Sequence, residues 1–476
     1  MLWYHNDSEE YIINSYWLLV TGFLYINQQP AARNQQQSAM KRVLILTYYW
    51  PPAGGPGVQR WLKFVKYLEG FGWKAHILTV KDGTYSALDQ DLEKEVPANI
   101  TVYKTKSSDP FRFYNMLKGK KDGSVSVALI NIDKKRSVVD RLAMYIRSNF
   151  FIPDARKGWK KYACKAAFKI IASENIDLIV STGPPHSTHL SGLKIKHKID
   201  IPWLADLRDP WTTVYYNDML PRSGRTKRID KKLEDAVLKH ADAVTVVSPG
   251  MQEEFADRNT HVNVVMNGFD MADMVSGKEE KESAGESEFS LVYTGNFKPN
   301  QHVPTIWDGI CELIREDEGF AKDFKLRFVG NVDSSVPEYF ESKGVSGNLD
   351  LVSYVPHAEA TRIMTSSSTL LFVVPQSGNN KLIITGKLFE YLASGRPVIS
   401  VGPVDGDAAA ILKDTARADM YDYSEKEQFK QKLLSLYTDW KAGDGHLNSL
   451  DTGMLEKYSR RSSAQLMADI MNRITP

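Results

Sequence analysis

Short apolar runs rich in β-branched residues alternate with helix-period segments along most of this chain, in two successive sets. Few folds accept that alternation. A strand, a helix and a further strand make a βαβ unit, and a series of such units builds a parallel sheet covered by helices. The first set opens with "RVLILTY", the continuous apolar run expected of a buried parallel strand. The Gly/Pro loop "WPPAGGPGVQR" follows, then a helical period through Val58, Trp61, Leu62, Phe64, Val65 and Leu68, with Gly70 as its expected C-cap. Strands are predicted at 74–80, 176–181, 203–206, 243–248 and 262–266, with helices at 187–198, 225–240 and 249–258. After the polar stretch "SGKEEKESAGESE" the pattern restarts with "FSLVYTG". Strands are then predicted at 325–329, 349–354 and 369–374, with helices at 303–315, at 358–365 and from near Ser459.

The fold class that follows is α/β, with two doubly wound domains. The expected division is an extension or misassigned start over 1–39, a first domain over 40–275, a linker or exposed loop over 276–288, a second domain over 289–455 and a C-terminal helix over 456–476 packing back on the first domain. Residues 11–26 are apolar but interrupted by Asn14, Ser15 and Thr21, and Glu9 and Glu10 precede them, so they read poorly as a signal peptide. A weak membrane anchor is the lesser alternative. The chain of 476 residues is 42% hydrophobic and 25% charged, ordinary for a globular protein, and its net charge of +2 gives no reason to expect a nucleic acid partner. Its two cysteines, Cys164 and Cys311, fit no metal spacing and suit a reducing, cytoplasmic compartment. Sixteen of the Lys and Arg residues fall in 101–165 against five acidic residues, so that segment is either a solvated face or a surface for something anionic.

Ligands of open parallel sheets sit beyond the carboxyl ends of the strands. Gly54 and Gly55 lie after the first strand, where glycine lets a ligand approach the backbone and a helix N-terminus favours anions. The loop "STGPPHSTH" places His186 just outside a helix start. "WLADLRDPW" puts Asp206, Arg208 and Asp209 at a strand end between tryptophans, which favours a sugar or phosphate contact over an internal ion pair. Gly295 and Lys298 follow the first strand of the second set and suit a phosphate. In "TGKLFEYLASGRPVI", Leu388, Phe389, Leu392 and Ala393 form one face for a sheet, while Lys387, Glu390, Tyr391 and Ser394 fall elsewhere. Lys387 and the helix end could hold a diphosphate while Glu390 accepts two ribose hydroxyls.

From about Met40 onward the chain resembles the GT-B fold glycosyltransferases of the large retaining family 4 type, which assemble bacterial cell-surface polysaccharides. The resemblance rests on "KRVLILTYYWPPAGGPGVQRW", "VTVVSPGM", "VVMNGFD", "LVYTGNF" and above all "KLFEYLASGRPVI". It implies two Rossmann-like domains facing a central cleft, with a nucleotide-diphosphate sugar on the C-terminal domain and the acceptor on the N-terminal one. Glu390 matches the glutamate that holds the donor ribose, with Lys387 beside it. Gly295 and Lys298 match the diphosphate-contacting segment, and Gly55 the N-terminal glycine loop. The sequence departs from the family at Leu382, where a first glutamate is usual, and at Asn296, where an arginine is usual. The strand-end histidine is absent from "ADLRDPW".

The expected reaction is transfer with retention to a glycan or lipid-linked acceptor, with no cofactor and no metal. Lys387, Lys298 and backbone N–H groups stabilise the leaving diphosphate. Asp209, His186 and Arg208 are the candidates for orienting the acceptor and the reacting groups. The basic segment 101–165 is expected to dock on an anionic membrane surface, as a peripheral attachment at the inner face of the plasma membrane. A nucleotide-sugar epimerase of the same fold and a non-catalytic assembly protein are the alternatives, the latter favoured slightly by Leu382.

Overall fold

A computed structural model describes residues 40–83, 85, 88–108, 138–276, 288–443 and 452–476. Segment 1–39 and most of the basic stretch before residue 138 lie outside the described residues, as does most of the polar stretch 276–288.

Seven parallel strands form the first sheet, in the order β3-β2-β1-β4-β5-β6-β7. They are β1 Lys41–Leu46, β2 Trp73–Val80, β3 Thr101–Thr105, β4 Leu178–Gly183, β5 Trp203–Leu207, β6 Ala243–Val246 and β7 Val262–Val264. Six more form the second, in the order β10-β9-β8-β11-β12-β13. These are β8 Phe289–Thr294, β9 Phe324–Val329, β10 Leu349–Val352, β11 Thr369–Val373, β12 Val398–Val401 and β13 Met420–Tyr421. The strands are continuous apolar runs because helices cover both faces of each sheet, leaving β1 and β8 buried from their third or first residue onward. Strand order reverses between β1 and β4 and again between β8 and β11, and those two switch points are where such sheets open a crevice.

Local chemistry sets the helix ends. Helix α1, Pro56–Leu68, starts at a proline whose fixed φ suits the first helical position. It does not end on Gly70. The chain tightens into a 3₁₀ turn over Glu69–Phe71, and the left-handed residue is Gly72 at φ 84°. Helix α2, Gly386–Ser394, ends on left-handed Gly395. Its buried surface is wider than the apolar stripe implied, since Tyr391 and Ser394 are fully buried too. The Tyr391 hydroxyl bonds the Thr294 backbone N–H at 2.9 Å, so this tyrosine closes the end of β8 instead of facing outward.

The C-terminal helix α3, Arg460–Ile474, lies against α1: Ala464, Met467 and Met471 share a core with Val43, Trp61 and Leu62. Asn472 accepts from the Trp73 indole at 3.2 Å. Just before it, Leu455 and Tyr458 pack with Phe269, Met274, Leu388 and Phe389 in the core of the second sheet. The two strands of chain that pass between the sheets touch where Phe269 bridges Ser459, and Gly268 has no room for a Cβ beside the Tyr458 carbonyl. Among the described residues, no helix is long and apolar enough to cross a membrane.

Candidate active site

The segments after β5 and β6 face those after β8, β11 and β12 across a cleft that contacts from both sides bridge. Lys298 donates to the Tyr215 hydroxyl at 2.9 Å and lies over its ring. Asn379 donates to the Thr213 carbonyl at 3.0 Å, and Asp407 accepts the Gly250 N–H at 3.0 Å. Leu382 sits so close to Gly250 that a Cβ there would collide with it. The place where the resemblance expects a first glutamate is therefore filled by an apolar contact between the two halves.

Two helices begin after β1 and β11 without a side-chain cap, α1 behind Gly55 and α2 behind Thr385, whereas the helix Ser187–Ile199 behind His186 has its first N–H taken by the Asp154 carboxylate at 2.8 Å. Ser223, Ser248 and Ser459 cap other helices in the ordinary way. Uncapped N-termini leave N–H groups free to meet an anion. Gly55, at φ 104°, takes a backbone angle that L side chains rarely adopt, while the space where a Cβ would stand is open. Gly54 precedes it in the same turn.

On the C-terminal side the structure brings Gly295, Lys298, Lys387 and Glu390 together. Gly295 lies at φ 92°, and a Cβ on it would stand 3.2 Å from the Lys387 ammonium. Gly330 packs on the Gly295 backbone. Lys387 donates to the Tyr293 hydroxyl at 2.6 Å, with its nitrogen 4.0 Å from the ring centroid. Burial lowers the Lys387 pKa to about 7, with Lys298 adding to the shift and Glu390 opposing it. Glu390 is half-buried and has no hydrogen-bond partner among the described residues. It lies within electrostatic reach of Lys387, His357 and Arg460. A carboxylate in that state is available to a ligand.

On the N-terminal side the three charges of "DLRD" separate. The expected ligand contact at Asp206 is corrected by the structure. Its carboxylate is fully buried and accepts from Arg60 Nε and Nη2, Trp61 Nε1, Thr182 Oγ1 and Thr245 Oγ1 at 2.7–3.3 Å. Burial would raise its pKa, but Arg60 and the Trp61 bond hold it below the usual carboxylate range. With its lone pairs filled by protein donors, Asp206 braces the sheet. Arg208 instead donates to the carbonyls of Gly183 and Pro184, and its guanidinium occupies the space a Cβ on Gly57 would need. Asp209 has no hydrogen-bond partner among the described residues; burial raises its pKa while Arg208 and Lys298 oppose the shift. His186 is buried, stacks on Trp211 at 4.8 Å and 10°, and leaves both ring nitrogens without partners. Burial, then His189, Arg208 and Arg222, push its pKa well down, so the ring is neutral at ordinary pH. Arg208 and Asp209 are thus on the cleft with Lys298, whereas His186 is set behind them against Trp211.

Sequence reasoning missed Arg60, Lys63, Tyr215, Tyr293 and Gln301. The first two carried a signal: they fall on the buried face of "VQRWLKFV", where a charge needs a partner. Arg60 also donates to Met266 O and Asn267 Oδ1, and Lys63 pairs with Asp273 at 3.0 Å. Helix α1 therefore ties the glycine loop at its start to the segment that leads into the second domain. The described residues contain no group of three His, Cys, Asp or Glu placed to hold a metal ion.

The sequence matches the family described as Glycosyltransferase Family 4 over residues 132–273 and that described as Glycosyl transferases group 1 over residues 288–439, together more than half of the chain. No curated protein sequence matched. Among solved structures the chain is similar to the trehalose-6-phosphate synthase OtsA (TM-score 0.62, 11% identity, 92% of this chain and 100% of that one). It is similar to a sucrose-phosphate synthase from Thermosynechococcus elongatus (TM-score 0.61, 12% identity, 91% and 98%). It is similar also to HepE of Anabaena in complex with UDP (TM-score 0.59, 11% identity, 91% and 100%). At these identities the likeness establishes the fold.

Proposed function

From the premise that this chain is a GT-B glycosyltransferase of the family 4-like type, we propose that it moves a sugar from a nucleotide-diphosphate donor to a glycan or lipid-linked acceptor, with retention and without a metal, in the synthesis of a cell-surface polysaccharide. One observation carries the reading. Lys387, Lys298 and the uncapped start of α2 converge opposite Arg208 and the uncapped start of α1 beside it, while Glu390, one turn from Lys387, has no hydrogen-bond partner among the described residues. Cations and N–H groups suit a diphosphate, and a carboxylate with free lone pairs suits the hydroxyls of a ribose. Similar structures support the nucleotide: HepE was solved with UDP, and a trehalose-6-phosphate protein from E. coli with UDP-2-fluoro glucose.

In this reaction the bond from the anomeric carbon to the diphosphate oxygen breaks first, leaving an oxocarbenium-like sugar. Lys387, Lys298 and the helix N-termini stabilise the charge that develops on the leaving group. The acceptor hydroxyl then attacks from the same face, and its proton passes to the departing diphosphate. Asp209 and Arg208, on the opposite wall, orient the acceptor; His186 shapes that wall through Trp211. The contacts across the cleft keep water from the donor.

The acceptor side carries a surface suited to a membrane. Helix Val138–Phe150 exposes Leu142, Tyr145, Ile146 and Phe150 beside Arg141, and the neighbouring helix Gly224–His240 exposes Arg225, Lys227 and Arg228. Apolar residues edged by cations match an anionic leaflet bearing a lipid-linked acceptor. Seven of the sixteen basic residues of 101–165, from Arg112 to Arg136, lie outside the described residues.

The test is a thermal-shift screen of nucleotide sugars, followed by NMR of the anomeric linkage formed on a short glycan acceptor. Stabilisation by a donor and an axial or equatorial product matching that donor supports the reading. Inversion overturns the retaining step, and donor epimerisation without acceptor overturns the transferase. Failure to sediment with anionic liposomes removes the membrane surface.

A further inference from the structure

The Lys387 ammonium is held by one side chain, and that side chain has no freedom of its own. Tyr293, at the end of β8, is 1% exposed. Its hydroxyl donates to the Asn296 carbonyl at 3.0 Å, with Gln301 Oε1 a longer second acceptor at 3.3 Å, and it accepts from Gln301 Nε2 at 3.0 Å and from Lys387 at 2.6 Å. A phenol has one proton and two lone pairs. All three are committed, so the lone pair offered to Lys387 has a fixed direction. Gln301 is itself pinned. Its Nε2 also donates to Val373 O at 2.8 Å, at the end of β11, and its Oε1 accepts the Lys298 backbone N–H at 3.0 Å. One buried amide thus sets the Lys298 main chain directly and the Lys387 ammonium through Tyr293.

We propose that Tyr293 is a positioning residue for donor binding, holding the Lys387 ammonium beside Gly295 with two of its three N–H donors directed away from the ring and towards the diphosphate, and that Gln301 braces it. The inference rests on the donor-site reading above. The ammonium lies 4.0 Å from the Tyr293 ring centroid, a cation–π position that desolvates it without an opposing carboxylate in contact. The charged groups around it are Glu390 on its own helix and Lys298 on the loop after β8. A cation fixed in this way loses little side-chain entropy when an anion arrives.

Tyr293 does not touch the ligand and reaches it chiefly through Lys387, so most of its effect must vanish when Lys387 is gone. Wild type, Tyr293→Phe, Lys387→Gln and the double variant form a cycle read by calorimetric Kd for UDP, GDP, ADP and CDP, using whichever binds tightest. Tyr293→Phe keeps the ring and is expected to weaken binding about three- to tenfold in wild type, the size of one hydrogen bond. It is expected to have little further effect in the Lys387→Gln protein. Equal losses in both backgrounds overturn the positioning role and leave the donor site standing. Absence of nucleotide binding by the wild type overturns the donor site and this inference with it. If Tyr293→Phe does not fold, Gln301→Leu takes its place; because Gln301 also holds the Lys298 main chain, its effect is expected to shrink but not vanish in the Lys387→Gln protein, and an undiminished loss overturns the positioning role.

Discussion

The guanidinium of Arg60 reaches both oxygens of Asp206 through Nε at 3.3 Å and Nη2 at 2.9 Å, with both side chains fully buried. They stand 146 residues apart and join α1 to the middle of the first sheet. Removing one partner of a buried pair leaves the other charge unpaired, at a cost of about 3–5 kcal/mol. Asp206→Ala is therefore expected to lower the unfolding free energy by that amount in urea titration. Nucleotide affinity measured on the remaining folded protein should be unchanged, because no part of Asp206 faces the cleft. A loss of binding larger than the loss of folded protein would count against the bracing role.

Glu390 gives the opposite pattern. It has no hydrogen-bond partner among the described residues to lose, only the longer-range attraction of Lys387, His357 and Arg460, so Glu390→Gln should unfold within about 1 kcal/mol of wild type. Its expected effect is on ligand. Losing hydrogen bonds from two hydroxyls to a charged acceptor is worth about 1.5–3 kcal/mol, or roughly ten- to hundredfold in Kd for the nucleoside diphosphate. Calorimetric titration beside urea unfolding separates the two. Unchanged binding would place the ribose elsewhere.

The contrast between these two carboxylates marks how much was legible. Strands and helices could be read because apolar runs and their turn residues are local signals, and the glycine, lysine and glutamate of the second domain could be placed because strand ends are where ligands go. Asp206 could not be told from Asp209 by sequence: they are three positions apart across the end of one strand, and what separates them is Arg60, which only the fold brings near. Tyr391 was misplaced for the same reason, since its partner is the backbone of Thr294, 97 residues earlier. Gln301 offered no signal at all, being one polar residue in a polar loop. Gly72 displaced Gly70 as the cap because the helix tightened by one turn, a choice that competing glycines leave open.

Lys387 should show function and stability in conflict. Its ordinary pKa is 10.5, and burial takes it to about 7 in the folded chain. Between those values the unfolded chain binds the proton and the folded one does not, so this group makes stability rise with pH from about 7 to 10.5 and imposes its full penalty below 7. Lys387→Met removes the penalty. It is expected to stabilise the protein by roughly 1–3 kcal/mol at pH 6.5 and by little at pH 10, as read by urea unfolding at the two pH values. The same variant should lose most nucleoside diphosphate affinity. In wild type, binding should take up protons near pH 8, because an anion favours the charged lysine; buffers of different ionisation enthalpy measure this. Destabilisation by Lys387→Met at pH 6.5 would mean that the ammonium is better solvated than its burial implies.

Asp273 joins three parts of the chain, pairing with Lys63 of α1 at 3.0 Å and with His357 at 3.7 Å. Burial would raise its pKa, but His357 and Lys63 bring it to about 2, while Asp273 and then Glu390 raise His357 above its usual 6.5 against burial. The signs fix the pH window. A lowered carboxyl contributes stability above 3.8 that is lost as pH falls through about 2; a raised imidazole contributes below 6.5, and that part is lost as pH rises through its folded value. The pair is strongest between about pH 4 and 6.5. Lys63 stays charged well beyond that, since Asp273 and Glu95 outweigh its burial and raise its pKa. Asp273→Asn should therefore cost the most near pH 5–6, on the order of 2 kcal/mol. The cost should fall to a smaller, level remainder by pH 8–9, where Lys63 still pairs. Urea unfolding of both proteins across pH 4–9 gives the difference curve, and a flat curve would show that His357 carries no charge against Asp273.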